Sequence, residues 1–283
     1  IAPRINACGR MGYADEALKL FLSKDIYEVN ELTKKLNYYN TLRQEKEKAI
    51  YEDAIKQIER DKLNEKNTII IAGENWHHGV IGIVSSKITD LYFKPSILLC
   101  YEDDIAKGSG RSIPGFDLHD ALMKCQDTIE KFGGHSMAIG ITIKRDKFED
   151  FKNEFEKVAK DAKIDEIIPI INIDAKINLN EINKEIVESL KQLEPFGEGN
   201  KTPIFVLKNL KIDSIRSLSE GKHIKMTLKD GNTIINAIGF NLGYLANEYK
   251  IGEKIDVVGT LEINSFNGVD NLQINLKDVS KSI

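Results

Sequence analysis

The sequence predicts an α/β domain that is preceded by a long connecting helix and followed by a β-rich barrel of the OB type. Three observations support this architecture. Strand and helix patterns alternate between residues 68 and 161, a long helical pattern precedes them, and short β-like runs with hairpin signals dominate from Phe205 onward. The chain has 283 residues, 41% hydrophobic and 30% charged, which is an ordinary globular composition with enough length for two domains.

Charge, hydropathy and cysteine usage narrow the functional classes. The net charge of −4 provides no global basic field, so any site for a polyanion must be local. No apolar run reaches the ~18 residues of a membrane helix, and no signal peptide is visible. Cys8, Cys100 and Cys125 are scattered and form no Cys-x-x-Cys pair, which indicates neither a zinc site nor a disulfide framework. We therefore expect a cytoplasmic protein without a membrane partner. Because the chain begins at Ile1 and not at Met, we also expect a fragment.

The first segment, IAPRINACGRMG, shows no helical or strand period and predicts a terminal loop. It carries Arg4, Asn6 and Arg10 between Pro and Gly residues. Arginines in such a loop either cap backbone carbonyls or face an anion, and spacing alone favours the first role.

Two helices are predicted next. The first begins near Tyr13, where small and apolar residues recur at spacings of three and four, and Asp25 is placed to cap the second. The second helix begins with an apolar stripe and continues with balanced charges to about Asn64. At 1.5 Å per residue, about 35 residues span roughly 50 Å. We therefore predict that residues 27 to about 64 form one continuous helix that links two bodies, with a largely solvated C-terminal part. A coiled coil is disfavoured because the apolar positions do not hold a heptad past Leu42.

The α/β domain is predicted to start with a buried strand at residues 68–72, a polar loop, and a helix from Val80 to about residue 91. Ligands of such crossovers lie at the carboxyl end of the strand. In this loop, Trp76 could stack on a base or cap the core. His77 and His78 are adjacent, which is poor spacing for a metal site with two histidines, so we expect a core or hydrogen-bonding role for one of them.

Two small-residue loops are predicted on either side of a short helix at residues 117–124. The first, Gly108-Ser109-Gly110-Arg111-Ser112, offers the planar fork of Arg111 to a phosphate, with Ser109 and Ser112 as hydroxyl partners. The second, Gly133-Gly134-His135-Ser136, offers His135 as a donor of a proton or a hydrogen bond near pH 7. Glycine lets the backbone approach a ligand closely. Either loop could be an ordinary turn, but two of them around one helix favour a ligand site.

The rest of the chain completes the two domains. We predict strands at residues 97–100 and 138–143, and a helix at 146–161 whose aromatic stripe belongs to the core. A strand at 167–179, a helix at 181–193 and the turn-rich hexapeptide PFGEGN follow. The barrel is then predicted from strands at 205–210, 212–218, 223–228, 233–240, 255–263 and 272–276, a short helix at 242–248, and hairpin signals at Asp230-Gly231 and Asn267-Gly268. Such barrels often bind single strands, although basic and acidic residues are nearly balanced in this one.

Five blocks follow one another along this chain: IAPRINACGRMG, ENWHHGVIGIVSSKI, GSGRSIPGFDL, FGGHSMAIG and LEPFGEGN. In this order they resemble the RecJ family of single-strand-specific exonucleases in the DHH phosphoesterase superfamily. In that family, a DHH domain binds Mn or Mg through Asp and His ligands, and a long helix joins it to a DHH-associated domain followed by an OB domain. The resemblance implies four segments here: 1–25 as the tail of the DHH domain, 26–66 as the connecting helix, 67–165 as the DHH-associated substrate-binding domain, and 166–283 as a linker helix with the OB-like domain.

The resemblance also implies roles for individual residues. It places Arg4, Asn6 and Arg10 at the cleft between domains, and Ser109, Arg111 and Ser112 at a DNA phosphate. It places Gly133, Gly134 and His135 near the scissile bond, with His135 as the catalytic residue. It assigns Trp76 and His77 to a substrate-binding block without a defined role. The one departure within the motifs is Ile139, which stands where the family usually has Ala.

A larger departure is that the sequence has no Asp-His-His triplet and no other clustered Asp/His set for two metals. We therefore expect the Mn or Mg of the parent enzyme to be bound outside this chain, and this chain alone to be inactive. The resemblance implies the substrate-binding portion of a 5′-to-3′ exonuclease for single-stranded DNA in repair and recombination. It further suggests a monomer whose partners are single-stranded DNA and either a single-strand-binding protein or a helicase. The alternatives are a DHH-type oligoribonuclease or cyclic-dinucleotide phosphodiesterase, and a nucleic-acid-binding module without catalysis.

Overall fold

The computed structural model describes residues 1–266 and 268–282. The chain forms two compact units, Ile1–Pro169 and Ile170–Ile283. Among the described helices, none combines the length and apolar character that crossing a membrane requires.

The first unit begins with three helices: α1 at Ala2–Arg10, α2 at Ala14–Leu22 and α3 at Ile26–Arg60. The prediction of a terminal loop for the first segment is therefore wrong. Pro3 lies in the first turn of α1, where its missing N–H costs nothing, and Ala7 and Cys8 are buried. Only these two adjacent small residues of α1 are fully buried, so the short helix shows no apolar period.

The long helix is continuous, as predicted, and begins at the cap that the sequence indicated. The Asp25 side chain accepts a hydrogen bond of 2.9 Å from the Tyr27 N–H. The expectation of a largely solvated C-terminal part is wrong, because Ile50, Ala54 and Ile58 are buried. The helix α4, at His78–Tyr92, packs against this part of α3, and Lys87 from α4 pairs with the buried Glu47. The buried stripe of α3 thus continues beyond Leu42, where the small Ala54 and the ion-paired Glu47 fill positions between and before two isoleucines and weaken the hydrophobic pattern.

The centre of the first unit is a sheet of five strands: β1 at Ile69–Gly73, β2 at Ser96–Glu102, β3 at Ile105–Arg111, β4 at Lys131–His135 and β5 at Ala138–Lys144. Two more helices are α5 at Leu118–Met123 and α6 at Phe148–Asp161. The order in the sheet is β1-β2-β3-β5-β4; β1 and β2 are parallel, and the other neighbours are antiparallel. One face of the sheet carries α4 over β2 and β3, and the other face shares a core with α5 and α6.

Both predicted glycine loops are in fact strands. The Gly-Ser-Gly-Arg segment forms the end of β3, and the Gly-Gly-His segment forms β4 at the edge of the sheet. A Cβ on Gly108 or Gly110 would lie 2.8 Å from core side chains of Ile141 or Ile139, respectively. These glycines therefore make room for side chains of the neighbouring strand. The sequence alone does not distinguish such a glycine from one that a turn requires.

The second unit is a closed barrel, which confirms the predicted OB-type architecture. Its strands are β6 at Ala175–Lys176, β7 at Phe205–Leu218, β8 at His223–Asp230, β9 at Thr233–Gly239, β10 at Lys254–Phe266 and β11 at Val269–Lys281, with α7 at Lys184–Leu190 and α8 at Leu245–Glu248. The sheet has the order β10-β11-β9-β8-β7-β6, and β10 also pairs with β7, which closes the ring.

Two predicted strand boundaries in this unit are wrong. The strand predicted at residues 167–179 is reduced to the two residues of β6, since Ile168 and Ile170 are exposed and have no strand partner. The strands predicted at 205–210 and 212–218 are one strand, β7, whose register shifts between Ile212 and Ser214. The Asp230-Gly231 hairpin joins β8 to β9 as predicted, whereas Asn267 of the second hairpin signal lies outside the described residues.

Candidate nucleic-acid interface

The cross-strand register places Arg111 and His135 on one face of the sheet. Arg111 pairs with Ala138, and Ala138 pairs with His135, so the three residues form one row across β3, β5 and β4. Directly opposed residues project from the same face. With strands about 4.8 Å apart, the Cα atoms of Arg111 and His135 are separated by roughly 10 Å. Long side chains can converge on one small anion over that distance.

Arg111 is half-buried against α4 and has no ion-pair partner in the part of the chain that the structure describes. Its Nη1 donates to the Ser109 hydroxyl at 3.0 Å and to the Gly110 carbonyl at 2.7 Å. Burial, and secondly the charge of Arg10, lower the pKa of Arg111 from its ordinary value. Two neighbouring guanidinium groups repel each other, and a bound anion would relieve that repulsion.

Arg10 lies near Arg111 because two glycines of α4 let both α1 and β3 approach this helix closely. Its Nη1 donates to the Gly79 carbonyl at 3.2 Å, and a Cβ on Gly79 would lie 2.2 Å from the Arg10 carbonyl oxygen. A Cβ on Gly82, one turn further along, would lie 2.9 Å from Ser109 Oγ and 3.3 Å from Arg111 Nη2. These glycines let α1 approach α4 at Gly79 and β3 approach it at Gly82. In the described residues, Arg10 also lacks a carboxylate partner.

His135 lies at the end of the edge strand β4, and its side chain is exposed. The preceding Gly134 adopts φ +141°, and a Cβ there would lie 2.3 Å from the Ala138 carbonyl oxygen. The backbone of the β4–β5 hairpin therefore requires glycine at position 134. Gly133 does not have a positive φ, and a Cβ added to it would meet no atom within 4 Å, so its missing side chain leaves open surface.

Trp76 is buried and offers no free face for stacking on a base. Only 9% of its surface is exposed, and its Nε1 donates to Asp53 on α3 at 2.9 Å. The ring lies over Gly73 at the end of β1, where a Cβ would come within 2.1 Å of it. Of the two predicted roles, capping the core therefore fits the structure. Trp76 ties the loop that precedes α4 to the long helix.

His77 caps α4, and its Nδ1 accepts a hydrogen bond from the Gly79 N–H at 3.2 Å. This bond requires an unprotonated Nδ1. Burial, followed by the charges of Lys46 and His78, lowers the pKa of His77. The ring is thus held neutral at physiological pH and orients the first turn of α4 beside Arg10.

The remaining predicted residues fall into two groups. Ser112 is buried, and its hydroxyl donates to the Phe116 carbonyl at 2.7 Å, so this hydroxyl stabilises a turn and is not free to bind a phosphate as predicted. Arg4 and Asn6 are exposed on α1, and Arg4 bonds Asn37 of α3. The structure thus brings Arg10, Ser109, Arg111, Gly133 and His135 to one region, with Trp76, His77, Ser112 and Gly134 as its supports.

Gly79 and Gly82 were missed as contributors to this site. They lie three residues apart within one helix, where glycine is unfavourable by about 1 kcal/mol relative to alanine. Two glycines on one helical face therefore signal a close approach of neighbouring backbone or side chains. In the described residues, no group of three or more His, Cys, Asp or Glu side chains could hold a metal ion.

Comparisons with known proteins identify both units. A family model for the DHHA1 domain matches residues 65–161, and a model for the RecJ OB domain matches residues 173–278. The single-stranded-DNA-specific exonuclease RecJ of Bacillus subtilis is 34% identical over 286 aligned positions, which cover 100% of this chain and 36% of that protein. RecJ of Haemophilus influenzae is also 34% identical and is covered to 50% of its length.

Solved structures agree with this result. The crystal structure of RecJ in complex with Mn²⁺ from Thermus thermophilus matches 100% of this chain and 41% of its own, with a TM-score of 0.81 at 28% identity. A second structure, exonuclease RecJ bound to manganese, matches 59% of this chain and 42% of its own at 32% identity with a TM-score of 0.53. The chain therefore spans half or less of the length of these relatives.

Proposed function

The chain belongs to the RecJ family through its DHHA1 and RecJ OB domains, and from this premise we propose that it is the substrate-binding portion of a metal-dependent exonuclease for single-stranded DNA. The proposed polarity is 5′ to 3′, and the proposed roles are DNA repair and recombination. The relatives named as single-stranded-DNA-specific exonucleases support this substrate. The proposal includes the four segments 1–25 (tail of the DHH domain), 26–66 (connecting helix), 67–165 (DHH-associated domain) and 166–283 (linker helix and OB-like domain).

One observation carries the proposal: Arg10 and Arg111 lie together without a carboxylate partner among the described residues. Arg10 is exposed, but Arg111 is half-buried, and such a charge is normally paired because an unpaired charge loses hydration without compensation. A DNA phosphate supplies the missing negative charge, and the planar guanidinium of Arg111 can bind two of its oxygens. The Ser109 hydroxyl accepts a hydrogen bond from Arg111 and donates a long one of 3.4 Å to the Ile139 carbonyl, so it would exchange this weak bond to donate to the same ligand.

His135 would act on the same phosphate from the opposite end of the row. An imidazole N–H that donates to a phosphate oxygen stabilises negative charge that develops during cleavage. Gly133 would let the DNA backbone approach the sheet edge closely. Trp76 and His77 would act indirectly. They hold the loop before α4 and the first turn of α4, where the Gly79 carbonyl accepts a hydrogen bond from Arg10.

The described residues do not fit the metal that the family implies. Relatives have been solved with Mn²⁺ and Mg²⁺, whereas the described part of this chain contains no cluster of metal-ligating side chains. Divalent metal sites of nucleases need several oxygen or nitrogen ligands in one place. We propose that this chain contributes phosphate binding and charge stabilisation, that ligands elsewhere in the parent protein hold the metal, and that the chain alone does not cleave DNA.

Binding of labelled oligothymidylate by the 283-residue chain tests the proposal. Arg111→Ala should weaken binding and make its salt dependence shallower, since each phosphate contact in a single strand contributes a slope of about 0.7. Arg60→Ala is a matched control, because Arg60 is an exposed arginine paired with Asp61 at the end of α3. Equal affinities and slopes for the Arg111→Ala variant and the unaltered chain would reject the assignment.

Comparison of DNA with RNA and cyclic dinucleotides tests the alternative substrates. The RecJ OB domain favours a longer single strand over a cyclic dinucleotide, because OB grooves typically track several nucleotides. Preferred binding of a cyclic dinucleotide would instead support a phosphodiesterase. The cytoplasmic location, the monomeric state, and an interaction with a single-strand-binding protein or a helicase also remain proposals.

A further inference from the structure

The sheet face that carries Arg111 and His135 continues into a second cationic row. Two residues further along each strand, Ser109, Gly140 and Gly133 face one another. Two residues beyond these, Lys107, Thr142 and Lys131 form the next row. All three rows project from the same face, because side chains alternate with a period of two residues. A cationic row thus lies on each side of a row that is nearly free of side chains.

The alternation of burial along β5 shows that this part of the face is open to solvent. Ile139, Ile141 and Ile143 of β5 are buried in the core below the sheet. The intervening Gly140 is exposed, and Thr142 is half-exposed. On the same face, α4 covers the β2 residues Leu98 and Cys100, so it covers the sheet only as far as β3. The β5 and β4 parts of the face remain accessible to a ligand.

The fold does not require glycine at position 140. A Cβ there would meet no atom within 4 Å, and Gly140 does not have a positive φ. Gly110, which faces the core from β3, differs because its Cβ would lie 2.8 Å from Ile139. A glycine within a strand lowers stability relative to a residue with a side chain. Its use at an exposed position without steric need indicates that something else approaches this backbone.

The charges of the second row identify the kind of ligand. Lys131 is exposed and has no ion-pair partner among the described residues. Lys107, on the other side of Thr142, pairs with Glu102 at 2.5 Å, so Lys131 is the more available cation. Neighbouring Glu130 is held by Lys144 at 3.4 Å and thus does not neutralise Lys131. Lys131 lies beyond the row of small residues that separates it from the proposed phosphate site at Arg111. A further phosphate of the same DNA strand would therefore complement its charge.

We propose that Lys131, assisted by Lys107, binds a second phosphate of the DNA strand whose first phosphate lies at Arg111 and His135. This inference rests on the proposed function and extends it from one phosphate to a track across the sheet. Rows on one strand are about 7 Å apart, so the two cationic rows are about 14 Å apart. The rise per nucleotide is about 3.4 Å in stacked DNA and larger in an extended strand. Two to about four nucleotides therefore connect the rows, with sugar and base lying over Gly140 and Gly133.

Two 5′-phosphorylated probes, a thymidine mononucleotide and a thymidine tetranucleotide, test the inference with the complete 283-residue chain. Calorimetry measures affinity, and the NMR amide signals of Gly133 and Gly140 distinguish binding at this face from binding at the barrel. Lys131→Ala should lower affinity for the tetranucleotide by up to about fivefold, as expected for one exposed charge contact, and leave the mononucleotide unchanged. Lys160→Ala, an exposed lysine on α6 below the sheet, should change neither affinity.

Gly140→Val adds a steric test. It should lower tetranucleotide affinity by more than tenfold, while the melting temperature stays constant or rises because valine favours strands. If Lys131→Ala and Gly140→Val both bind the tetranucleotide as the unaltered chain does, the second row is not a phosphate site. If the unaltered chain shifts neither glycine signal with either probe, the proposed function of this face fails, and the inference fails with it.

Discussion

Replacing Gly134 with alanine should destabilise the first unit, whereas the same change at the adjacent Gly133 should not. An added Cβ at position 134 would lie 2.3 Å from the Ala138 carbonyl oxygen and 2.8 Å from the Ile139 Cα, both backbone atoms that no rotamer change can move. The φ of +141° adds strain of about 1–3 kcal/mol for a residue other than glycine. We therefore expect Gly134→Ala to lower the free energy of unfolding by about 2–3 kcal/mol.

Urea unfolding followed by the fluorescence of Trp76 measures this effect in the relevant unit. The chain has one tryptophan, and it lies in the core of the same unit as Gly134. With a denaturant slope of about 2 kcal/mol per molar urea, the midpoint should fall by about 1–1.5 M. Gly133→Ala, which meets open space, should keep the midpoint or raise it slightly. Equal midpoints for the two variants would refute the argument that position 134 alone is constrained by the backbone.

Three further predictions concern the site. In a longer form of the protein that cleaves DNA, His135→Ala should reduce single-turnover cleavage by about two orders of magnitude with little change in melting temperature, since the ring is exposed; a much lower melting temperature with a normal rate would show a structural role. His77→Asn should preserve the cap of α4 but alter the pH dependence of stability. The pKa of His77 is lowered in the folded state, so its contribution is intact above the unfolded value of about 6.5 and declines as the pH falls from there towards the folded value. Melting curves at pH 7.5 and 5 should show a smaller decline for His77→Asn, and an identical decline would contradict this role. Gly82→Ala should raise helix stability by up to about 1 kcal/mol yet weaken oligothymidylate binding, because its Cβ would displace Ser109 and Arg111; unchanged binding in the same titration would exclude that displacement.

The sequence predicted elements whose determinants are local. The cap at Asp25 and the long helical period indicated α3, and the alternation of strands and helices indicated the α/β unit. The solvation of the C-terminal part of α3 was mispredicted because its buried face uses Ala54 and the ion-paired Glu47 beside Ile50 and Ile58. Polar and small residues can be buried when a partner on α4 is present, and a periodicity argument sees only one of the two helices.

The glycine-rich segments show a second limit. Glycine at positions 108 and 110 serves close strand packing, at 134 it permits a positive φ, and at 140 neither reason applies. All of these residues look alike in the sequence, which predicts turns at Gly108, Gly110 and Gly134 and a strand at Gly140. The register of β3, β5 and β4 separates the groups, because it determines which glycines face the core and which face solvent. Registers depend on pairing between distant segments, so the row that joins Arg111 to His135 could not be derived from either motif alone.

The convergence of Arg10 with Arg111 has a physical cause that the sequence contains but does not reveal. α1 and β3 meet α4 at Gly79 and Gly82, which occupy one face of the helix at a spacing of three residues. Larger residues there would increase helix propensity and hold the neighbouring elements further from the helix. Because both arginines remain unpaired among the described residues, this close approach concentrates positive charge. A protein selected only for stability would separate these charges or place a carboxylate between them. Their proximity at a glycine-lined contact therefore supports the proposal of an anionic ligand that binds to both.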